Sequence, residues 1–344
     1  MSALAILPRI RHPEPHPSAP LVDHILTGLT AGFFVIVLTL GRYYEGLGLE
    51  LLSFVALTTV AIPLCKAAFG FIAPLIGTKD ALAQPRNVRK FCDQSWQLVI
   101  HVSMTLYELW LLGRPQTDWT WWNEPAGPAG AWVPGQDEDA QLRTFYLMQL
   151  GIWFYTAFSC RFVESRHKDY FVMYTHHVVT ITLVALSFAG GYLRIGVLVL
   201  LLHDSSDIVA DLLKMVNYMG LDEKSGLYLT ELLFVTNLGT WIWLRLWLFP
   251  THVISSVWAD SDRFWNPPSG FDLFKYVTMY LNWTLLSVLF VMHIYWFGLF
   301  VRIAVRLLKN EQTAEVAEDE YEDDSGAESD EAGGAAGKRK GKRN

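Results

Sequence analysis

Long apolar runs recur from about residue 25 to residue 308, separated by short polar connections, and they constrain the fold more than any other feature of this chain. A run of about 18 or more apolar residues is long enough to cross a bilayer as a helix. Eight spans are expected, at roughly 25–41, 49–76, 95–112, 142–162, 169–189, 193–215, 226–249 and 274–302. The expected class is therefore an all-α polytopic membrane protein, and the rival is a soluble protein with buried helices. Composition favours the former: 52% of the 344 residues are hydrophobic and only 18% are charged, against about 25% charged in an average domain.

Charge in the connections tests the count of spans, because cytosolic loops are enriched in Lys and Arg. One alternate set of connections carries Arg9 and Arg11; Lys79, Arg86, Arg89 and Lys90; Arg161, Arg166 and Lys168; Lys214 and Lys224; then Arg302, Arg306 and Lys309. The other set carries about one basic residue each: Arg42, Arg114, Arg194 and Arg263. Eight spans with both termini cytosolic reproduce this alternation. Five prolines crowd the first 24 residues, which lack the apolar core of a signal peptide. The loop 114–141 holds Trp119, Trp121, Trp122 and Trp132 and reads as an interfacial cap on the lumenal face. Four segments result: a disordered cytosolic stretch over 1–24, N-terminal spans over 25–84, a catalytic domain over 85–309, and a disordered acidic and basic tail over 310–344.

The tail supplies much of the net charge of -7. Ser325 and Ser329 lie inside its acidic block, where an acidophilic kinase would find a phosphorylation site. Lys340 and Lys342 resemble a dilysine-type signal for return to the endoplasmic reticulum, and their bland reading is a solvated charged tail. Cys65, Cys92 and Cys160 stand at unrelated spacings beside apolar spans, so neither a disulfide framework nor a zinc pattern follows.

Ionisable groups inside a span are costly and mark function by default. The fifth and sixth spans hold most of them: His176 and His177 on one, His203, Asp204, Asp207 and Asp211 on the other. At 1.5 Å per residue, His176 and Asp207 each lie about 10 Å from the cytosolic side and His203 about 16 Å. Only Gly190-Gly191-Tyr192 joins these spans, so they are expected to pack antiparallel and bring the histidines and carboxylates face to face. His203 and Asp207, four apart, share a helix face; Asp204, Asp207 and Asp211 form a second stripe. A carboxylate beside an imidazole holds its tautomer and stabilises its cation, which is the equipment of a nucleophile or general base. Hydrogen-bonded packing histidines are one rival reading. A metal site is another, but iron-binding membrane oxidoreductases use about eight histidines, and the spans here offer five. His101, Glu108, Glu231, Asn237, Arg245, Asn282 and His293 are lesser candidates. His101 and His293 are expected level with His203, either lining the same cavity or bonding helix to helix.

The stretch from Arg166 to Tyr218 resembles the Lag motif of ceramide synthases, within the TLC-domain family. Its landmarks are Lys168-Asp169, the His176-His177 pair, Arg194 with Gly196, His203-Asp204, Asp207 and Lys214. Arg89-Lys-Phe-Cys-Asp-Gln-Ser-Trp96 is similar to the opening of that domain, with Asp93 where the family has glutamate, and His293-Ile-Tyr-Trp296 is similar to its last span. The resemblance implies about six helices in a TLC-type barrel around a central cavity. It also implies transfer of a fatty acyl group from acyl-CoA, long or very long, to the amine of a sphingoid base in the endoplasmic reticulum membrane. His176, His177, His203, Asp204 and Asp207 match the family's essential residues. Related enzymes are thought to pass through an acyl-histidine; a histidine acting as base in a direct transfer is the other route. Arg194, Asp211, Lys214, His101 and His293 are candidates for substrate binding, and Arg166, Lys168 and Lys90 for the CoA phosphates. No resident cofactor, metal or nucleic acid is expected. Some relatives work as homodimers, with paralogues, or with a small single-span regulatory subunit. The 250–272 segment matches a lumenal loop that influences acyl-chain length in relatives. The contrasting reading is a non-catalytic TLC-like protein that binds or senses lipid.

Overall fold

A computed structural model describes residues 20–40, 46–114, 132, 140–163, 169–259 and 272–309. Arg166 and Lys168, Ser325 and Ser329, the tail signal and most of the tryptophan loop lie outside the described residues. Among the described residues all regular structure is helical. The long helices are α1 (Pro20–Leu40), α2 (Leu47–Ile76), α3 (Pro85–Leu112), α4 (Ala140–Phe162), α5 (Tyr170–Gly190), α6 (Leu193–Tyr218), α7 (Leu229–Thr240, continued by Trp241–Ile254) and α8 (Leu273–Leu308). Each expected span falls on one of them.

Four of these segments are long and apolar enough to cross a membrane by themselves: α2, α5, Leu229–Trp258 and α8. The protein is thus a multi-pass membrane protein. Helices α3 and α6 fall short in hydropathy because they carry His101, Glu108, His203, Asp204, Asp207 and Asp211. Those side chains turn inward, toward neighbouring helices, as polar groups in hydrocarbon must.

Three boundaries differ from the sequence-based expectation. Helix α1 opens at Pro20, five residues early, because buried Asp23 anchors its first turn: it accepts a bond from Tyr170 Oη at 2.6 Å and pairs with Arg161 at 3.1 Å. Helix α3 opens at Pro85 and not near 95. A proline is at home in the first turn of a helix, and the amphipathic stretch after it packs on the end of α6. The seventh span continues past Pro250 as a wide π-helical stretch to Ile254, with Ser255 N–H reaching back five residues to Pro250 O. Proline is tolerated there because the wider turn re-satisfies the backbone groups it frees.

The pairings run α3 on α6, α6 on α7, α7 on α8, α8 on α5, α5 on α4, α4 on α2, and α2 on α3. The expected close packing of α5 on α6 is not seen. They meet near the turn, where Gly191 takes a left-handed φ of 77°, and then separate. A cavity occupies the gap and is lined from both helices. Trp132, buried, donates from Nε1 to Ser256 Oγ at 2.9 Å and lies 5.9 Å from the Tyr192 ring. Trp132, the α5–α6 turn and the end of the seventh helical segment therefore share one end of the bundle.

Candidate active site

The cavity, partly open to its surroundings, lies between α4, α5, α6 and α8. His176, His203 and Asp207 line one end. Leu183, Val184, Val199, Leu200, Leu286 and Leu289 make the aliphatic part of the remaining wall. The chamber is thus a polar head on an apolar barrel.

His176 comes from the second turn of α5. Its ring stands edge-on to Trp296 at 5.4 Å and to Trp153 at 5.6 Å, and its Nδ1 has no hydrogen-bond partner among the described residues. Aromatic edges hold the ring without consuming its nitrogens. His177 is also buried, 5.7 Å from Trp153 and from His176, and its Nδ1 is likewise without a partner among the described residues. It is not part of the cavity lining.

His203 is held differently. Its Nδ1 lies 2.6 Å from Val199 O, and its Nε2 lies 2.9 Å from His293 Nε2. A carbonyl only accepts, so Nδ1 carries the proton and Nε2 accepts from His293. With both nitrogens engaged, His203 is a positioned ring and His176 is the available one. His293 therefore bonds helix to helix, level with His203 as expected.

Asp207 pairs with Arg245 Nη2 at 2.5 Å. The same guanidinium donates to Ser206 Oγ at 2.6 Å and His203 O at 3.2 Å, and stacks over Trp241 at 4.2 Å. Arg245 stands in the π-helical stretch, whose wider turn presents it to α6. Only its place inside an apolar span hinted at this role. A buried charge pair is retained when its remaining hydrogen-bonding groups are satisfied, and here they are.

Asp204 and Asp211 point away from the cavity. Gln149 donates to Asp204 at 3.1 Å and to Glu108 at 3.4 Å. Asp211 accepts from Gln94 at 2.7 Å and lies 2.6 Å from His101 Nδ1. His101 is thus level with Asp211, about 12 Å along α6 from His203. The expected level with His203 is not seen, because His101 pairs with Asp211, about two turns further along α6. Asp169, in the lysine-aspartate landmark, accepts from Trp296 Nε1 at 3.1 Å and ties α5 to α8.

The remaining candidates are peripheral. Arg194 is half-buried at the start of α6, nine residues from His203. Lys214 is exposed near the far end of α6, and the Lys90 ammonium lies 5.6 Å above the Tyr218 ring. Lys90 and Lys214 therefore sit at the end of the bundle nearest Asp211. Among the described residues no three His, Cys, Asp or Glu side chains converge in a way that could hold a metal ion. Chemically, the chamber offers an imidazole with an unengaged nitrogen, a carboxylate clamped by a guanidinium, and an apolar wall.

Comparison with known proteins agrees with this geometry. The TLC domain matches residues 90–302. Ceramide synthase 1 LOH3 of Arabidopsis thaliana is 29% identical over 71% of this chain and 80% of its own length. ASC1-like protein 1 of Oryza sativa subsp. japonica is 30% identical over 69% of this chain and 77% of its own. Ceramide synthase 4 of Homo sapiens is 31% identical over 71% of this chain and 58% of its own. The match across 90–302 takes in more than half of the residues, including every group that lines the polar head of the chamber, and the chain belongs to the TLC-domain family.

Proposed function

We propose that this protein is a ceramide synthase that moves a long fatty acyl group from acyl-CoA to the amine of a sphingoid base. One observation carries the reading: buried His176, with an unengaged ring nitrogen, lines one cavity with Asp207 and an apolar wall. Relatives named ceramide synthase support it.

In the proposed sequence His176 attacks the thioester carbonyl. The carbon–sulfur bond breaks, and CoA leaves as a thiol with the proton that the acyl-imidazole gives up. The sphingoid amine enters as an ammonium. Asp207, held by Arg245, gives that cation a partner at the chamber wall, and His177, behind His176, passes its proton outward. The neutral amine attacks the acyl carbon, and the imidazole departs taking up the second amine proton as the amide forms, which returns His176 to its neutral state. His203, fixed by Val199 O and His293, keeps the chamber wall in place. Asp204 and Asp211 act on the frame of α6 from its other side.

Lys90 and Lys214, with Arg166 and Lys168, are proposed to draw the CoA phosphates to a cytosolic mouth. On this reading both termini are cytosolic and the enzyme resides in the endoplasmic reticulum.

The test uses purified protein, long-chain acyl-CoA and dihydrosphingosine without added metal. Ceramide and free CoA are expected in equal amounts, with an acyl adduct on the His176 peptide when the sphingoid base is withheld. Lipid binding without turnover would instead favour a lipid sensor.

A further inference from the structure

The cavity wall changes character with distance from the histidines. From His176 to Ser187 along α5, and from His293 to Asn282 along α8, the chamber extends about 16 Å. Between those levels its wall is mainly leucine and valine, with Thr180 one turn from His176. At the far level it turns polar and closes.

The closing group is Tyr146 of α4, fully buried. Its hydroxyl donates to Leu193 O at 2.9 Å and lies 3.1 Å from Ser187 Oγ, which itself donates to Tyr192 O at 2.7 Å. The hydroxyl sits directly over Gly196: a Cβ at that position would lie 2.0 Å from it. No other residue fits under Tyr146, which explains the glycine of the motif. A second layer backs the plug. Tyr192 is buried behind it, braced by Trp132 and by a bond from its own hydroxyl to Lys275 O at 2.7 Å.

Asn282 faces the same dead end. It is 3% exposed, lines the cavity, and neither atom of its amide has a hydrogen-bond partner among the described residues. An alkyl end pressed against this amide and the Tyr146 hydroxyl meets polar atoms it cannot satisfy, so it gains little by advancing further.

We infer that Tyr146, locked over Gly196, is a fixed end stop that sets the longest acyl chain this enzyme accepts. The inference rests on the ceramide synthase reading and adds a ruler to it. The acyl carbon lies at His176 and the terminal methyl lies at the level of Tyr146 and Asn282.

Competing acyl-CoAs of stepped length are given to the wild-type protein and to Tyr146→Leu, Asn282→Ala and Leu286→Phe, and the ceramides are resolved by chain length. Tyr146→Leu and Asn282→Ala should shift the longest product upward, each newly accommodated methylene raising kcat/KM about fourfold. Leu286→Phe, one turn nearer the histidines, should shift it downward. In the wild-type protein, an acyl-CoA of the longest accepted length bearing a terminal diazirine should label peptides containing Tyr146, Ser187 or Asn282. An unchanged length limit in the variants that turn over, or a label confined to other helices, overturns the end stop while leaving ceramide synthesis standing. Absence of ceramide from the wild-type protein at every chain length would overturn the underlying function instead. If Tyr146→Leu fails to fold, the other two variants and the wild-type label decide.

Discussion

The two faces of α6 carry nearly the same residues and do different work. One presents His203 and Asp207 to the chamber, with Arg245 and His293 behind them. The other presents Asp204 and Asp211 to α3 and α4, where Gln149, Gln94 and His101 absorb them. On both faces each carboxylate has a partner. The difference is what lies beyond: open space on one side, packed helix on the other. The residues His203, Asp204, Asp207 and Asp211 are thus divided between cavity lining and frame, sorted by about 100° of rotation per residue.

The sharpest way to break this comparison is at the chamber. His176→Ala should abolish ceramide formation and the acyl adduct while leaving the thermal unfolding midpoint near that of the wild type. Asp207→Asn should lower kcat by about 10²–10⁴-fold, the range of positioned acid–base groups. Near-normal rates in both would remove the proposed mechanism.

Arg245→Met tests what holds Asp207. It leaves a part-buried carboxylate without its cation, read as a lower unfolding midpoint in detergent together with loss of turnover. Arg245→Lys keeps the charge but not the three-way grip on Asp207, Ser206 and the His203 carbonyl, so it should rescue stability in part and activity less.

The frame face should respond in the opposite proportion. Asp204→Ala leaves Gln149 with Glu108 as its remaining acceptor, and should cost about 0.5–1.5 kcal/mol of stability, with a rate loss no larger than its loss of folded protein explains. A catalytic deficit far beyond that would assign Asp204 to the chemistry and erase the distinction between the faces. The smallest effect is expected at the rim. Lys90→Ala or Lys214→Ala should raise KM for acyl-CoA by a few-fold at most, as exposed charges contribute about 0.2–1 kcal/mol each. The increase should shrink as salt is raised.

Much of this was readable before any coordinates. Apolar runs located the helices, because burying backbone in hydrocarbon leaves a helix as the local solution for each segment. Spacing put His203 and Asp207 on one face of α6, and depth counting put His293 level with His203. Counting failed for His101, since its level is set by the partner it finds across the bundle, Asp211. The stripe of Asp204, Asp207 and Asp211 also split in two, because a helix face is wide enough to serve different neighbours.

What the linear order of residues determined by itself was local: which segments are helical, which side chains are ionisable, and which of those share a face. Which neighbour each face meets is a property of the assembled bundle. Tertiary structure alone decided that α5 and α6 part around a cavity, that Arg245 crosses from a π-helical turn to clamp Asp207, and that Tyr146 seats over Gly196. Each depends on groups distant in sequence meeting within a few ångströms, and periodicity along one helix holds no information about the helix opposite.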